Sequence, residues 1–245
     1  MKIPGVEVRR VARCGSTNSV LLQERSLATP VLLVAGEQTA GRGRRGRHWY
    51  SAPGAGLTFS LARRIRRPAR ELAALSLVAG VAAARALRAL GVAPAALKWP
   101  NDLVAGGAKL GGILVETRAA GRETLAVFGI GINCHGAADL SRRMRRPVAS
   151  LDQFIVPLEE EIIAAIATSL MAAIDAFEAG GFETARTEWE SMHAHAGQRL
   201  KVRLADGRSV TGIAAGLAED GALSLRTRGG LRAIRSGRVV SARLA

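Results

Sequence analysis

Cysteine, lysine and aromatic residues are all scarce in this 245-residue chain. The two cysteines, Cys14 and Cys134, lie far apart. They form no CxxC pair and no disulfide framework, which excludes a stapled secreted scaffold and a thiolate metal site. The histidines are His48, His135, His193 and His195. His193 and His195 alternate, but they have too few neighbours of ligand type for a zinc site, which needs three or four. No uninterrupted apolar run reaches membrane-spanning length, because Leu72–Leu90 is Ala-rich and broken by Gly80, Arg85 and Arg88. The first residues, MKIPGVEVRR, lack the apolar core of a secretory signal. Together these absences predict a cytoplasmic protein with no membrane partner.

Acidic residues are also few. Asp and Glu number 20 against 35 Lys and Arg, for a net charge of +15. Such a balance raises a nucleic-acid partner as one reading. Only four of the basic residues are lysine, namely Lys2, Lys98, Lys109 and Lys201. An arginine-for-lysine bias is what a GC-rich genome produces, so part of the charge reflects codon usage. Where arginine has replaced lysine so widely, a retained lysine marks a place where a compact ammonium does what a planar fork does not. Lys98 and Lys109 fall in one short segment.

Apolar residues make up 48% of the chain, enough for a sizeable core. Periodicity predicts strands at 6–11, 31–35, 57–61, 97–104, 110–116 and 124–132, with a hairpin turn at Gly106-Gly107. It predicts helices after Ser16-Thr17, over 70–90, from Pro157 to about Ala179, and over 183–194. A glycine- and arginine-rich loop spans 38–56, and a basic loop spans 142–146. From Gln198 onward, short alternating runs at 200–204, 209–214, 222–225 and 231–234 are punctuated by Asp206-Gly207, Asp220-Gly221 and Gly229-Gly230. That spacing predicts a small β-barrel. The domain boundary is placed at 196, giving domains 1–196 and 197–245.

Two segments carry most of the chemistry. In Gln38-Thr-Ala-Gly-Arg-Gly-Arg-Arg-Gly-Arg-His-Trp49, Gly41, Gly43 and Gly46 alternate with Arg42, Arg44, Arg45 and Arg47. Glycine lets backbone N–H groups approach an anion, and arginine adds forked charged donors. The loop reads as an anion-binding lid that is mobile when empty and orders on ligation. A solvated RG-rich segment or an RNA-binding tail is the competing reading. The loop lacks the GxxxxGK[ST] pattern of a P-loop. The second segment is Lys98-Trp-Pro-Asn-Asp-Leu103 followed by Lys109-Leu-Gly-Gly-Ile-Leu-Val-Glu116. Asn101 and Asp102 end a strand, and Asp102 suits a Mg²⁺ held against phosphate oxygens. Gly111 and Gly112 leave room for a ligand against the strand. Two further motifs have a chemical and a structural reading each. Ser16-Thr17-Asn18 is a ligand contact or a helix cap, and Gly129-Ile-Gly-Ile-Asn133 is a nucleotide contact or a turn.

In this order and spacing, STN, QTAGRGRRGR, KWPNDL, KLGGILVE and GIGIN closely resemble the biotin protein ligases. The resemblance implies an α+β fold. Its catalytic domain is similar to class II aminoacyl-tRNA synthetases, with a mixed, mainly antiparallel sheet and flanking helices, and a small SH3-like β-barrel follows. It implies that ATP activates biotin to biotinyl-5′-AMP, which then acylates a lysine on the biotin carboxyl carrier domain of acetyl-CoA carboxylase or a related carboxylase. By resemblance, Ser16, Thr17, Asn18 and Gln38 bind the biotin head group, with Gly111 and Gly112 lining its site. Arg42, Gly43 and Arg44 close over carboxylate and phosphates, and Lys109 bridges them; Lys109, Arg42 and Arg44 are the catalytic set. Arg44, Trp49, Lys98, Asn101, Asp102 and Asn133 bind ATP, and Asp102 meets Mg²⁺.

The departures from the family pattern are Ala149-Ser150-Leu151 where many members have ATSL, and Arg238 where the C-terminal domain often carries an acid. The motifs begin at Ser16, so no DNA-binding domain is expected before them and no specific DNA binding is expected. Both monomers and homodimers occur in the family. The alternatives are a lipoate or octanoate transferase of the same fold, and a non-enzymatic nucleic-acid-binding protein.

Overall fold

The computed structural model of the chain describes residues 1–50 and 54–244. Residues 51–53, inside the expected 38–56 loop, and residue 245 lie outside it. The chain forms β1 (Glu7–Cys14), α1 (Thr17–Leu22), β2 (Val31–Gln38), β3 (Gly56–Ile65), α2 (Leu75–Ala89), β4 (Ala95–Lys98), β5 (Asp102–Ala105), β6 (Ala108–Ala120) and β7 (Glu123–Asn133). It continues through α3 (Ala137–Met144), α4 (Glu159–Gly180), α5 (Glu183–Ser191), β8 (Arg199–Arg203), β9 (Ser209–Leu217), β10 (Leu223–Thr227), β11 (Gly230–Ile234) and β12 (Arg238–Arg243). The first seven strands make one sheet in the order β1-β2-β3-β7-β6-β5-β4. Only β1 and β2 run parallel; the other neighbours are antiparallel. A second antiparallel sheet has the order β11-β10-β9-β8-β12.

Alternation along β7 explains the architecture. Ala126, Phe128, Ile130 and Ile132 point to one face and join the main core beneath α2 and α4. Leu125 and Val127 point to the other face, where they pack with Leu21, Leu27 and Leu33. Further along that second face stand Gly129 and Gly131, which carry no side chain to fill the space. Helix α1 covers one half of this face, and the glycines of the other half leave room for side chains from elsewhere, Asn18 against Gly129 and Trp49 against Gly131. The helical stretch Ala69–Ala89, which ends in α2, and helix α4 are long and apolar enough to cross a bilayer. They pack side by side, and residues such as Leu75, Leu87, Ile163 and Phe177 are fully buried among them. Burying each such side chain contributes roughly 1.5–3 kcal/mol.

The C-terminal sheet shares this core. Leu200, Val202, Leu217, Leu223 and Leu225 belong to the same continuous cluster as Leu77 and Trp189. Trp99 Nε1 donates to the carbonyl of Gly221 at 3.3 Å, and Leu217 N–H donates to Glu190 Oε1 at 2.8 Å.

Four expectations about elements are corrected. The strand expected over 97–104 is two strands that pair with each other, Lys98 opposite Asp102, because Pro100 turns the chain between them. The basic segment 142–146 is helical through Met144, where Gly136 and Arg145 in left-handed conformations end the helix on both sides. Helix α5 stops at Ser191, and the chain then runs beside β4, with Ala194 N–H donating to the carbonyl of Leu97 at 2.9 Å. β12 was not anticipated, although Arg-Val-Val-Ser after Ser236-Gly237 has the alternation of a half-buried strand.

That segment after α5 buries His193, whose ring stacks on Trp189 with centroids 4.7 Å apart. Burial pushes His193 down to about 4, with His195 adding a smaller effect in the same direction. A histidine near 6.5 when unfolded and about 4 when folded favours the native state above pH 6.5. That stability is lost as pH falls through the window from 6.5 to 4, by roughly 3 kcal/mol in total. His193→Phe keeps an aromatic on Trp189 and does not titrate. Urea unfolding at pH 7 and pH 4.5 should show a smaller acid loss for the variant; equal losses would contradict this.

Candidate functional site

The glycine half of the second sheet face is roofed by the glycine-arginine loop. The loop closes on itself as a small hairpin: Trp49 N–H donates to the carbonyl of Gly41 at 2.9 Å, and Gly43 N–H to that of Arg47 at 2.6 Å. Within it Arg45 has φ +58°, a left-handed conformation that costs a non-glycine residue about 1–2 kcal/mol. Beneath the loop is a cavity of ≈ 310 Å³. Ser16, Thr17, Asn18, Gln38, Arg42, Gly43, Arg44, Trp49, Asn101, Asp102, Lys109, Gly112 and Asn133 all border it. The four separate motifs therefore meet at one place.

One end of the cavity is neutral and polar. Ser16 occupies the N-cap position of α1 but makes no side-chain cap bond, and it is buried. Thr17 donates to Gln38 Oε1 from its backbone N–H (2.7 Å) and its hydroxyl (3.1 Å). Ser60 Oγ lies 2.6 Å from both Thr17 Oγ1 and Asn18 Oδ1. Asn18 Nδ2 donates to the Leu114 carbonyl at 3.1 Å and to Glu116 Oε2 at 2.9 Å. Arg42 reaches the same Glu116 oxygen at 2.9 Å, tying the loop to β6. Buried polar groups held this firmly form a fixed array of donors and acceptors for a small polar ring.

The middle is a slot made by glycines. A Cβ on Gly131 would sit 2.3 Å from Trp49 Cε2, and one on Gly129 would sit 2.3 Å from Asn18 Oδ1. A Cβ on Gly112 would sit 3.3 Å from Lys109 Nζ and 3.5 Å from the Trp49 ring. Gly111, one residue away, points to the opposite face of the sheet, where a Cβ would meet the Gly131 carbonyl at 2.6 Å. Gly111 is not on the cavity wall; it permits close packing behind it.

The far end is cationic. Arg44, Arg47, Lys109, Arg146 and Arg238 line it, with Asp102 as the sole carboxylate on the cavity wall among the described residues. Lys109 Nζ is ion-paired with Asp102, and lies 5.9 Å from the centre of the Trp49 ring. Burial pushes the Lys109 ammonium below the ordinary lysine range; Asp102 opposes this, and Arg146 and Arg47 add to it. Burial also lowers Arg44, helped by Arg45 and Arg47. Lys98 stands opposite Asp102 in an adjoining cleft rather than in the cavity. It too is lowered by burial. The Lys109 backbone is clamped by segment 147–149: its N–H donates to the Pro147 carbonyl (3.2 Å), and its carbonyl accepts from Ala149 N–H (2.9 Å) and Asn133 Nδ2 (3.3 Å). Asn101 Nδ2 donates to the Ile113 carbonyl at 2.6 Å.

Sequence reasoning did not single out Ser60, Glu116, Arg146 or the helix α3, whose Leu140 and Met144 border the cavity. Glu116 closes a quoted motif, so its position was visible while its partners were not. Arg143, also on α3, lies 3.8 Å over the Tyr50 ring.

Trp49 rests on Gly131, whereas Trp99 and Trp189 are buried elsewhere. Gly131→Ala should therefore expel the Trp49 indole. Fluorescence should shift to the red with greater acrylamide quenching and an unchanged far-UV spectrum. An unaltered emission would show that the slot tolerates a methyl group.

The pattern of the biotin/lipoate A/B protein ligase family matches residues 1–133, and that of the biotin protein ligase C terminal domain matches residues 195–240. The biotin–[acetyl-CoA-carboxylase] ligase of Paracoccus denitrificans is 35% identical over 91% of this chain and 96% of its own length. The enzyme of that name from Mycobacterium tuberculosis is 32% identical over 95% of this chain and 88% of its own. The solved biotin protein ligase from Aquifex aeolicus in complex with biotin and ATP superposes with a TM-score of 0.80 at 28% identity, covering 98% of this chain and 99% of that one. This chain belongs to the biotin/lipoate A/B protein ligase family.

Proposed function

We propose that the protein is a biotin protein ligase. It joins biotin to ATP as biotinyl-5′-AMP and passes the biotinyl group to a lysine of a biotin carboxyl carrier domain of acetyl-CoA carboxylase or a related carboxylase. The observation that carries this is the polarity of one cavity: a neutral hydrogen-bonding end, a glycine slot, and a cationic end centred on Lys109. A ring with a ureido group, an aliphatic chain and a terminal carboxylate has the same order. Ser16, Thr17, Asn18 and Gln38 take the ureido ring, the chain lies in the slot bordered by Gly112 and by the Trp49 ring that rests on Gly131, and Gly111 supports the slot from behind. Lys109, Gly43 and Arg44 take the carboxylate and the phosphates, and Arg42, tied to Glu116 beside Asn18, holds the lid closed over them. Trp49, Asn101, Asp102 and Asn133 hold the nucleotide, with Lys98 beside the phosphates.

In the first step a carboxylate oxygen of biotin attacks the α-phosphorus of ATP. The bond from that phosphorus to the leaving pyrophosphate breaks. Two anions must approach, and the cations offset their repulsion and the charge that develops in between. Lys109 starts paired to Asp102, so its charge is already oriented in a buried place. In the second step the carrier lysine, having shed a proton, attacks the acyl carbon; the bond to AMP breaks and an amide forms. A closed lid excludes the water that otherwise hydrolyses the mixed anhydride. Mg²⁺ supplies further phosphate neutralisation when bound. With one carboxylate on the wall, this site suits an ion that enters on the nucleotide, with Asp102 as its protein contact, rather than a resident one.

The same reading divides the chain into a catalytic domain, 1–196, similar to class II aminoacyl-tRNA synthetases, and an SH3-like domain, 197–245. It places the protein in the cytoplasm, where its ATP and carrier are found.

Intact mass of a carrier domain after incubation with MgATP and either biotin or lipoate tests the proposal: one biotinyl addition is expected. Lipoyl addition alone, or none, would overturn it. Lys109→Ala should reduce adenylate formation at least 10²- to 10³-fold, the cost of removing one such donor, while the circular dichroism stays native; wild-type turnover would refute the role of Lys109. Arg42→Ala or Arg44→Ala should release adenylate faster in a filter-retention assay, and unchanged retention would count against the lid.

A further inference from the structure

The arginines of this chain fall into two groups. On the catalytic body most find carboxylates: Arg63 pairs with Asp175 and Glu178 at 2.6 and 2.8 Å, Arg66 with Glu123 at 2.6 Å, and Arg67 with Glu71 at 2.6 Å. On β8 and β12 the pattern is different. Arg199, Lys201, Arg203, Arg238 and Arg243 are all exposed and make no ion pair among the described residues. The pairing register sets Arg203 directly opposite Arg238 and Arg199 directly opposite Arg243, with Lys201 between them opposite Ser241. Alternate residues and direct cross-strand partners share a face, so these five cations stand together while Leu200, Val202 and Val239 fill the core behind them. Like charges placed opposite one another destabilise a sheet. Codon bias explains arginine in place of lysine; it does not explain two opposed arginine pairs left without a carboxylate among the described residues.

The face leads to the reaction cavity. Gly237, Arg238, Val239 and Val240, with Arg203, form one wall of a cleft whose other wall includes Arg44, Arg47, Lys98, Asp102 and Arg146. Arg44, Asp102, Arg146 and Arg238 border this cleft and the cavity alike. Arg45 of the lid donates to Ser236 Oγ at 2.9 Å, just before β12. β12 is also the outer strand of its sheet.

We propose that the β8–β12 face is where the acceptor protein docks, and that it receives an acidic patch beside the acceptor's target lysine. This rests on the ligase reading and adds the surface and its charge rule. An acceptor lysine that enters this cleft meets Arg44, Arg146 and Arg238, which repel its ammonium. Carboxylates flanking that lysine, seated on Arg199, Lys201 and Arg243, offset the repulsion and set the approach. The patch is compact, about 14 Å along the strand from the usual rise per residue. Neither strand carries an aromatic side chain for a base to stack on. Both features favour a folded acidic partner over a nucleic-acid strand.

The test uses the full chain carrying Arg199→Glu, Lys201→Glu and Arg243→Glu, none of which borders the cavity, together with the milder Lys201→Gln. The readouts are biotin-dependent ATP–pyrophosphate exchange and steady-state transfer to an apo carrier domain. Exchange should equal wild type in both variants. KM for the carrier should rise tenfold or more in the triple variant and less in Lys201→Gln, with kcat nearly constant. Added NaCl should raise the wild-type KM more steeply than the variant's. Normal exchange with an unchanged carrier KM would overturn the docking surface and leave the ligase reading standing. Absence of exchange in the wild type would overturn the ligase reading and the surface with it. Anisotropy with a random DNA duplex covers the other partner class: if the charge reversals abolish duplex binding but spare the carrier KM, the face is a nucleic-acid surface and the proposal is wrong.

Discussion

The pair of Lys109 with Asp102 is the contact around which the site is organised. An ammonium in a buried place is costly unless something holds it charged. Burial lowers the proton affinity of Lys109, and Asp102 counteracts that. Around the pair the wall is otherwise positive, from Arg44, Arg47, Arg146 and Arg238. A cavity whose wall holds, among the described residues, one carboxylate and a ring of cations is electrostatically incomplete, and the proposed nucleotide and biotin carboxylate would complete it. The backbone clamp from segment 147–149 holds Lys109 in place before any ligand arrives, which is the preorganisation that charge stabilisation requires.

The sheet makes this arrangement possible through its period of two. Along β7, large apolar residues alternate with Gly129 and Gly131, so one strand builds the core on one side and on the other leaves room for Asn18 and Trp49, which wall the slot. Along β6 the same rule separates adjacent glycines: Gly112 faces the ligand space and Gly111 faces the packing behind it. Adjacent positions with the same residue type thus have different physical reasons for it.

This explains what was legible in the sequence and what was not. The glycine-arginine loop, the retained lysines and the strand-end amides could be read as chemistry because their residue types are unusual for their local context. The strands β3, β6 and β7 were equally visible as short runs rich in apolar residues. Ser60 and Glu116 were not, since a serine in a strand and a glutamate at its end are ordinary until the fold brings Asn18 and Arg42 to them. Arg146 and helix α3 were obscured by composition, because a run of arginines reads as solvated loop. The split of the expected 97–104 strand was foreshadowed by Pro100, but pairing of the two halves with each other is a tertiary fact. The cations of β8 and β12 could be counted in the sequence, yet their opposition depends on register.

Exchange of labelled pyrophosphate into ATP by the wild-type protein, with MgATP and with or without biotin, most directly tests whether this cluster joins two anions. Exchange that appears only when biotin is added is the expected result. Exchange independent of biotin, or none at all from folded protein, would contradict the account.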